Sequence, residues 1–190
     1  RIKMTGKKQY TFIDLFSGCG GMSLGFEMSG FKELLAIDNW KDALVTYEHN
    51  RNDAHTLCAD LSCLSPEDVK NQYNIDDVDV IIGGPPCQGF SLAGKRIIED
   101  ERNKLYKSFV NFVRCFRPKA FVMENVPNIL SIGGGMVRDS ILKDFEDLGY
   151  TISVQVLTAS DYGVPQNRRR AVFVGFSDGT KFKFPKPFDT

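Results

Sequence analysis

Seven short runs rich in β-branched and aromatic residues constrain this chain most, because longer amphipathic runs separate the first six of them. The extended runs are 10–16, 33–37, 55–58, 78–82, 120–124, 152–158 and 171–176. The helical runs between them are 21–29, 40–50, 65–72, 103–116 and 137–148. Such alternation is the pattern of a parallel sheet with helices on both faces. Local signals sharpen several boundaries. Ser65 is placed to cap a helix, with Pro66 at its first position and Asp68 at its third. Apolar residues at 105, 109, 112, 113 and 116 share one helix face, and Pro118 ends that helix. Gly149 is a candidate C-cap for the helix before it. The last two strands are joined by a loop, 159–170, with no room for a crossover helix, which predicts an antiparallel pair at the sheet's end. The fold class expected is therefore α/β: a doubly wound, Rossmann-like, seven-stranded, mostly parallel sheet whose last strand is antiparallel.

The chain has 190 residues, long enough for one such domain to bury roughly 70% of its unfolded surface. We expect a basic N-terminal tail over 1–9, a catalytic domain over 10–176 and an exit segment over 177–190. The chain opens at Arg1, so either Met4 is the start or the chain is cut from something larger. No apolar run reaches the roughly 18 residues of a membrane span, and the polar opening "RIKMTGKKQY" is no signal peptide. The five cysteines are odd in number and irregularly spaced, which argues for free thiols in a reducing, cytoplasmic setting. His55, Cys58 and Cys63 lie close together but lack a second ligand pair, so no metal site is expected. Formal net charge is zero, yet residues 165–187 hold six basic side chains against one acid, Asp178.

Four stretches carry chemistry. In "FIDLFSGCGGMSLGF" a strand enters a glycine-rich turn and then a helix, the setting in which backbone N–H groups receive a nucleotide-like ligand. Asp38 stands 20 residues after Gly18, at the end of the next strand, where an acid can bond a ribose hydroxyl. The glycine pattern is imperfect, because Ser23 takes the third glycine's place, and it does not separate a dinucleotide from S-adenosylmethionine. In "DVIIGGPPCQGF" a strand runs into two glycines and two prolines, a stiff elbow that would present Cys87 at the sheet's ligand edge as a nucleophile. The glycines at 89 and 94 are possible hinges of a lid over 88–103. In "FVMENVPNIL", Glu124 follows an apolar strand and faces the same cleft, where desolvation could make it a proton donor. In "SDYGVPQNRRR", Arg168 and Arg170 are spaced i, i+2 at a strand's start and share a face, with Arg169 on the other.

Together these blocks resemble the cytosine-5 DNA methyltransferases of bacterial type. "DLFSGCGGMSLGF", "GGPPCQGFS", "MENV" and "DYGVPQNRRR" match in order, and the resemblance covers about residues 10–176. It implies an enzyme of restriction–modification that flips a cytosine out of double-stranded DNA and transfers methyl from S-adenosylmethionine to carbon 5. By resemblance Cys87 is the nucleophile toward carbon 6, Glu124 binds N3 and the exocyclic amine, and Arg168 and Arg170 contact the O2 side. Phe16, Gly18, Cys19, Gly20, Gly21, Asp38, Asn39, Asp60 and Pro85 would line the cofactor, with Asp38 on its ribose and Asp60 on its adenine amine. The family continues into a target-recognition domain that these residues do not contain. The resemblance thus implies either a second subunit that carries it or a truncated catalytic portion. The rival readings are a nicotinamide-linked oxidoreductase, a non-catalytic relative that binds DNA or a partner, and a tRNA-methylating relative.

Overall fold

The computed structural model describes residues 8–51, 53–86 and 104–188. Six strands and five helices alternate, and a seventh strand follows without a helix. In chain order they are β1 (Thr11–Leu15), α1 (Gly21–Met28), β2 (Lys32–Asp38), α2 (Lys41–His49), β3 (Thr56–Cys58), α3 (Pro66–Gln72), β4 (Val80–Gly83), α4 (Lys104–Phe116), β5 (Ala120–Asn125), α5 (Met136–Glu146), β6 (Thr151–Thr158) and β7 (Arg169–Phe176). The sheet order is β3-β2-β1-β4-β5-β7-β6. Neighbours from β3 to β5 pair in parallel, and β7 runs antiparallel to both β5 and β6. The doubly wound, mostly parallel expectation holds, with the last strand alone reversed. The last antiparallel pair lies at the sheet's end as expected, with β7 between β5 and β6 and β6 at the edge. The expected non-helical loop 159–170 also contains a 3₁₀ turn, Ala159–Tyr162.

Local signals act as the sequence indicates. The Ser65 hydroxyl accepts a hydrogen bond from the Asp68 N–H at 3.2 Å, and Pro66 opens α3. Gly149 has φ 85° and its N–H bonds the Glu146 carbonyl, which ends the helix by the left-handed route that glycine permits. Two 3₁₀ turns, Pro127–Leu130 and Ile132–Gly135, precede α5 where the sequence reading left a plain connection.

Two cores flank the sheet. Ile13, Leu35, Ile81, Phe121 and Phe173 face α4 and α5, where Phe109, Phe112, Ile141 and Phe145 complete a dense aromatic layer. The Phe121 and Phe145 rings stack at 4.1 Å. On the other face Phe12, Val80, Ile82 and Ala120 meet Met22 and Phe26 of α1. This face carries an apolar cavity of about 780 Å³ beside Val122, Val174 and Phe176. After β7 the chain turns back along it. Phe182 packs on Phe176, Phe184 on Phe182, and the Phe188 N–H bonds the Asp161 carbonyl at 2.8 Å. Residues 177–188 thus return from the far edge of the sheet to the edge that holds the carboxyl ends of the parallel strands. No helix among the described residues is long and apolar enough to cross a membrane.

The order reverses between β1 and β4, which makes their shared carboxyl ends the ligand crevice of a doubly wound sheet. Leu15 pairs with Gly83 at that point. A Cβ on Gly83 would collide with the Leu15 carbonyl, a backbone group that cannot swing aside. Gly83→Ala should therefore destabilise the fold by about 2–4 kcal/mol through overpacking and loss of the β1–β4 contact. Urea unfolding checks this, and a midpoint equal to wild type would contradict it.

Candidate active site

The carboxyl edge collects the expected residues in the order of the strands. From one side to the other it presents Arg168 and Arg170 before and in β7, Glu124 at the end of β5, Pro85 after β4, and Phe16–Gly21 after β1. Asp38 and Asn39 follow at the end of β2, and Asp60 after β3. From β5 to β3 this is four strand intervals, roughly 19 Å at about 4.8 Å each. The antiparallel direction of β7 matters here. It brings the start of a strand, and so its two arginines, to the edge where the other strands end.

Glu124 is the hub of one half. Its Oε1 accepts from Arg170 Nε at 2.6 Å and faces Arg168 Nη2 at 3.5 Å. The i, i+2 spacing therefore does place both guanidiniums on one side, while the exposed Arg169 offers its carbonyl to Arg170 Nη1. The Glu124 side chain keeps 23% of its exposure. The carboxylate thus remains reachable from the cleft while two cations balance its charge. A Cβ on Gly84 would stand 3.2 Å from Glu124 Oε2, so the glycine leaves the carboxylate room beside the β4 loop. The next residue, Asn125, is buried, and its Nδ2 donates to the Pro85 carbonyl at 2.8 Å. That bond ties the proline elbow to β5. Cys87 and the expected lid over 88–103 lie outside the described residues, which resume at Lys104.

The other half is the glycine turn. Phe16 adopts φ 62°, a left-handed conformation that costs a bulky residue energy and that clusters at functional sites. Gly18 and Gly20 are also left-handed, and a Cβ on Gly18 or Gly21 would meet no atom within 4 Å, which leaves an open cradle. Asp38 holds the turn from beside it. One carboxylate oxygen accepts from the Gly18 N–H and the other from the Trp40 N–H, both at 2.8 Å. Asp60 accepts from the Ser62 N–H and hydroxyl, which lowers its pKa below the ordinary carboxylate value. Cys19 and Asn39 are exposed at the same edge.

The sequence reading passed over four residues. Trp40 follows Asp38 and Asn39 and leaves 63% of its surface exposed at the cradle's rim. An exposed tryptophan beside a strand-end acid was the available signal. Asn125 was visible only as a neighbour of Glu124. Asp14, the next-to-last residue of β1, is buried, and the Ser23 hydroxyl donates to its Oδ2. This explains the serine at the third glycine position: α1 packs on β1 through that hydroxyl instead of through a bare Cα. Arg51, after α2, reaches the turn from 31 residues away and donates to the Gly20 carbonyl at 2.6 Å.

The family model for C-5 cytosine-specific DNA methylases matches residues 10–189. The chain belongs to this family. Type II methyltransferase M1.HphI of Haemophilus parahaemolyticus is 47% identical over 183 residues, covering 95% of this chain and 49% of that protein. Type II methyltransferase M.DdeI of Desulfomicrobium norvegicum is 49% identical over 166 residues, covering 86% of this chain and 40% of that protein. A crystal structure reported as a DNA modification methyltransferase encoded within an E. coli prophage superposes with a TM-score of 0.81. It is 34% identical and is matched over 95% of this chain and 51% of its own. The chain spans about half or less of the length of these relatives.

Within this methylase domain, Asp14 has a consequence for stability. Burial pushes its carboxyl up to about 7, against the opposing hydrogen bond from Ser23. Burial also raises Glu33 nearby. The folded state keeps the Asp14 proton up to about pH 7, while the unfolded chain releases it near 3.8. Stability should therefore fall as pH rises through that window, by about 1.4 kcal/mol per unit at most. Asp14→Asn keeps the hydrogen bond without the titration. Urea midpoints at pH 5 and pH 7.5 should differ less in this variant than in wild type, and an unchanged difference would exclude Asp14 as the source.

Proposed function

We propose that this chain carries the catalytic part of an enzyme that transfers a methyl group from S-adenosylmethionine to carbon 5 of a flipped cytosine in DNA, as part of restriction–modification. The observation that carries the proposal is the cluster of Glu124, Arg168 and Arg170 on the β5 side of the switch point. It stands across β4 from a glycine cradle on the β1 side. One half suits a pyrimidine ring and the other a nucleoside.

The cradle fits the donor on its own terms. It has open space above Gly18 and Gly21, an exposed indole at Trp40 for an adenine face, and carboxylates at Asp38 and Asp60 for polar edges. The donor supplies an electrophilic methyl group on a sulfonium. Everything else falls to the protein. Cys87 directly follows the elbow that Asn125 ties down, so its thiolate would meet carbon 6 of a base entering between β4 and β5. Bond formation there pushes electron density onto carbon 5 and toward N3 and O2. Glu124 would hold N3 and the exocyclic amine, and the arginines would stabilise charge on the O2 side, an electrostatic contribution that grows as water is excluded. After methyl transfer, loss of the carbon 5 proton and expulsion of the thiolate restore both aromatic ring and enzyme.

The target carbon lies within a stacked duplex, so extrusion of the base at a cost of a few kcal/mol is part of the proposal. Arg168, Arg169 and Arg170 stand at this edge, and the tail that carries Lys181, Lys183 and Lys186 returns toward it, reaching it at Phe188, beside Tyr162. This is where further chain or a second subunit that selects the DNA sequence would stand. A nicotinamide oxidoreductase would use the cradle but leave the Glu124–arginine cluster without a role.

The test is incorporation of labelled methyl from the donor into DNA, with the product base identified by hydrolysis and chromatography. 5-Methylcytosine is expected; N4-methylcytosine or no product would overturn the reading. Glu124→Gln keeps shape and removes charge. It should lower kcat by about 10²–10³-fold while DNA affinity changes less than threefold, since the lost stabilisation appears mainly as charge develops. An unchanged kcat would remove Glu124 from the mechanism.

A further inference from the structure

The glycine turn has no side-chain cap of its own. Gly20 is the N-cap of α1, in the left-handed region at φ 83°, and no side chain caps the helix start; its carbonyl accepts from the Leu24 N–H of α1 at 3.0 Å. Asp38 holds Gly18, and the brace on Gly20 comes from just after α2. Arg51 donates from Nη2 to the Gly20 carbonyl at 2.6 Å and from Nε to Glu27 Oε2 at 2.9 Å, so one guanidinium ties the start of α1 to its last turn. The guanidinium lies over the Tyr47 ring at 4.2 Å, and the Tyr47 hydroxyl is bonded to Glu33 of β2. Only 10% of the Arg51 side chain is exposed. A Cβ at Gly20 would strike both Tyr47 and Arg51, so the two side chains press directly on the turn's backbone. Arg51 is thus a mostly buried cation spent on one carbonyl and one carboxylate.

We propose that Arg51 is a positioning residue for the methyl donor: it fixes the Gly18–Gly20 backbone in the shape that receives the donor without touching it. The proposal rests on the cradle being the donor site. A guanidinium already held by two charge-assisted bonds loses little on ligand binding, whereas an unbraced glycine turn would have to be ordered at the ligand's expense. The effect should appear in donor affinity and not in the chemical step, because Arg51 lies on the α2 side and the Glu124–arginine cluster lies two strands beyond.

The experiment uses the full-length protein, with donor affinity measured calorimetrically with S-adenosylhomocysteine and kinetics with S-adenosylmethionine. Arg51→Met keeps the stem and stacking but removes both bonds. It should raise Kd and donor KM by about tenfold, with kcat at saturating donor within twofold. Arg51→Lys should recover part of the loss, and Glu27→Gln, which leaves the Gly20 bond in place, should stay within threefold of wild type. A loss of packing alone would lower thermal stability in all three without this ranking. Wild-type donor affinity in Arg51→Met, or equal losses in kcat and KM, would overturn the proposal. If Arg51→Met does not fold, the lysine and glutamine variants decide it: equal affinity in both contradicts the brace. Absence of donor binding by the wild-type protein would instead overturn the cradle reading itself, and the proposal with it.

Discussion

The contact between the Leu15 carbonyl and the bare Cα of Gly83 is the constraint on which the rest depends. It lets β1 and β4 run side by side to their carboxyl ends, where the sheet order reverses. Two loops then leave the same crevice in different directions, one a glycine turn and the other a proline elbow. A side chain at position 83 would force the strands apart at the place where the proline elbow and the glycine turn must be neighbours. The parallel sheet supplies the crevice, and the chemistry is distributed on either side of it.

Each side is stiffened by long-range polar bonds. On the β5 side, Asn125 holds Pro85 and two arginines hold Glu124. On the β1 side, Asp38 holds Gly18 and Arg51 holds Gly20. These groups gain strength from their partly buried setting and cost little at the moment of reaction, because they are ordered beforehand. The reversed β7 adds the arginines without a loop of their own. A parallel seventh strand could not have done so, since its start would lie at the opposite edge.

Much of this was legible in the sequence, for reasons that can be stated. The Ser65–Pro66 cap, the stop before Pro118 and the glycine at 149 are local events, and local physics decides them. The i, i+2 spacing of Arg168 and Arg170 put them on one face, and a strand's pleat enforces that wherever the strand lies. The insertion of β7 between β5 and β6 was not legible, because it depends on which strands pair across more than 40 residues. Arg51 was invisible for the same reason, and Asp14 because a buried acid in an apolar strand carries no local mark. Ser23 looked like a flaw in a glycine pattern. Its bond to Asp14 shows a different way of packing a helix onto a strand.

The central claim is that a thiol just beyond the β4 elbow attacks a cytosine held by Glu124 and the arginines. The most direct measurement uses duplex DNA carrying 5-fluorocytosine at the target position, mixed with S-adenosylmethionine and the full-length protein. Fluorine cannot leave carbon 5 as a proton does, so attack and methyl transfer end in a stable covalent complex. Peptide mapping by mass spectrometry should find the methylated base attached to Cys87. An adduct on another residue, or methylation of ordinary cytosine with no adduct on the fluorinated base, would contradict the account.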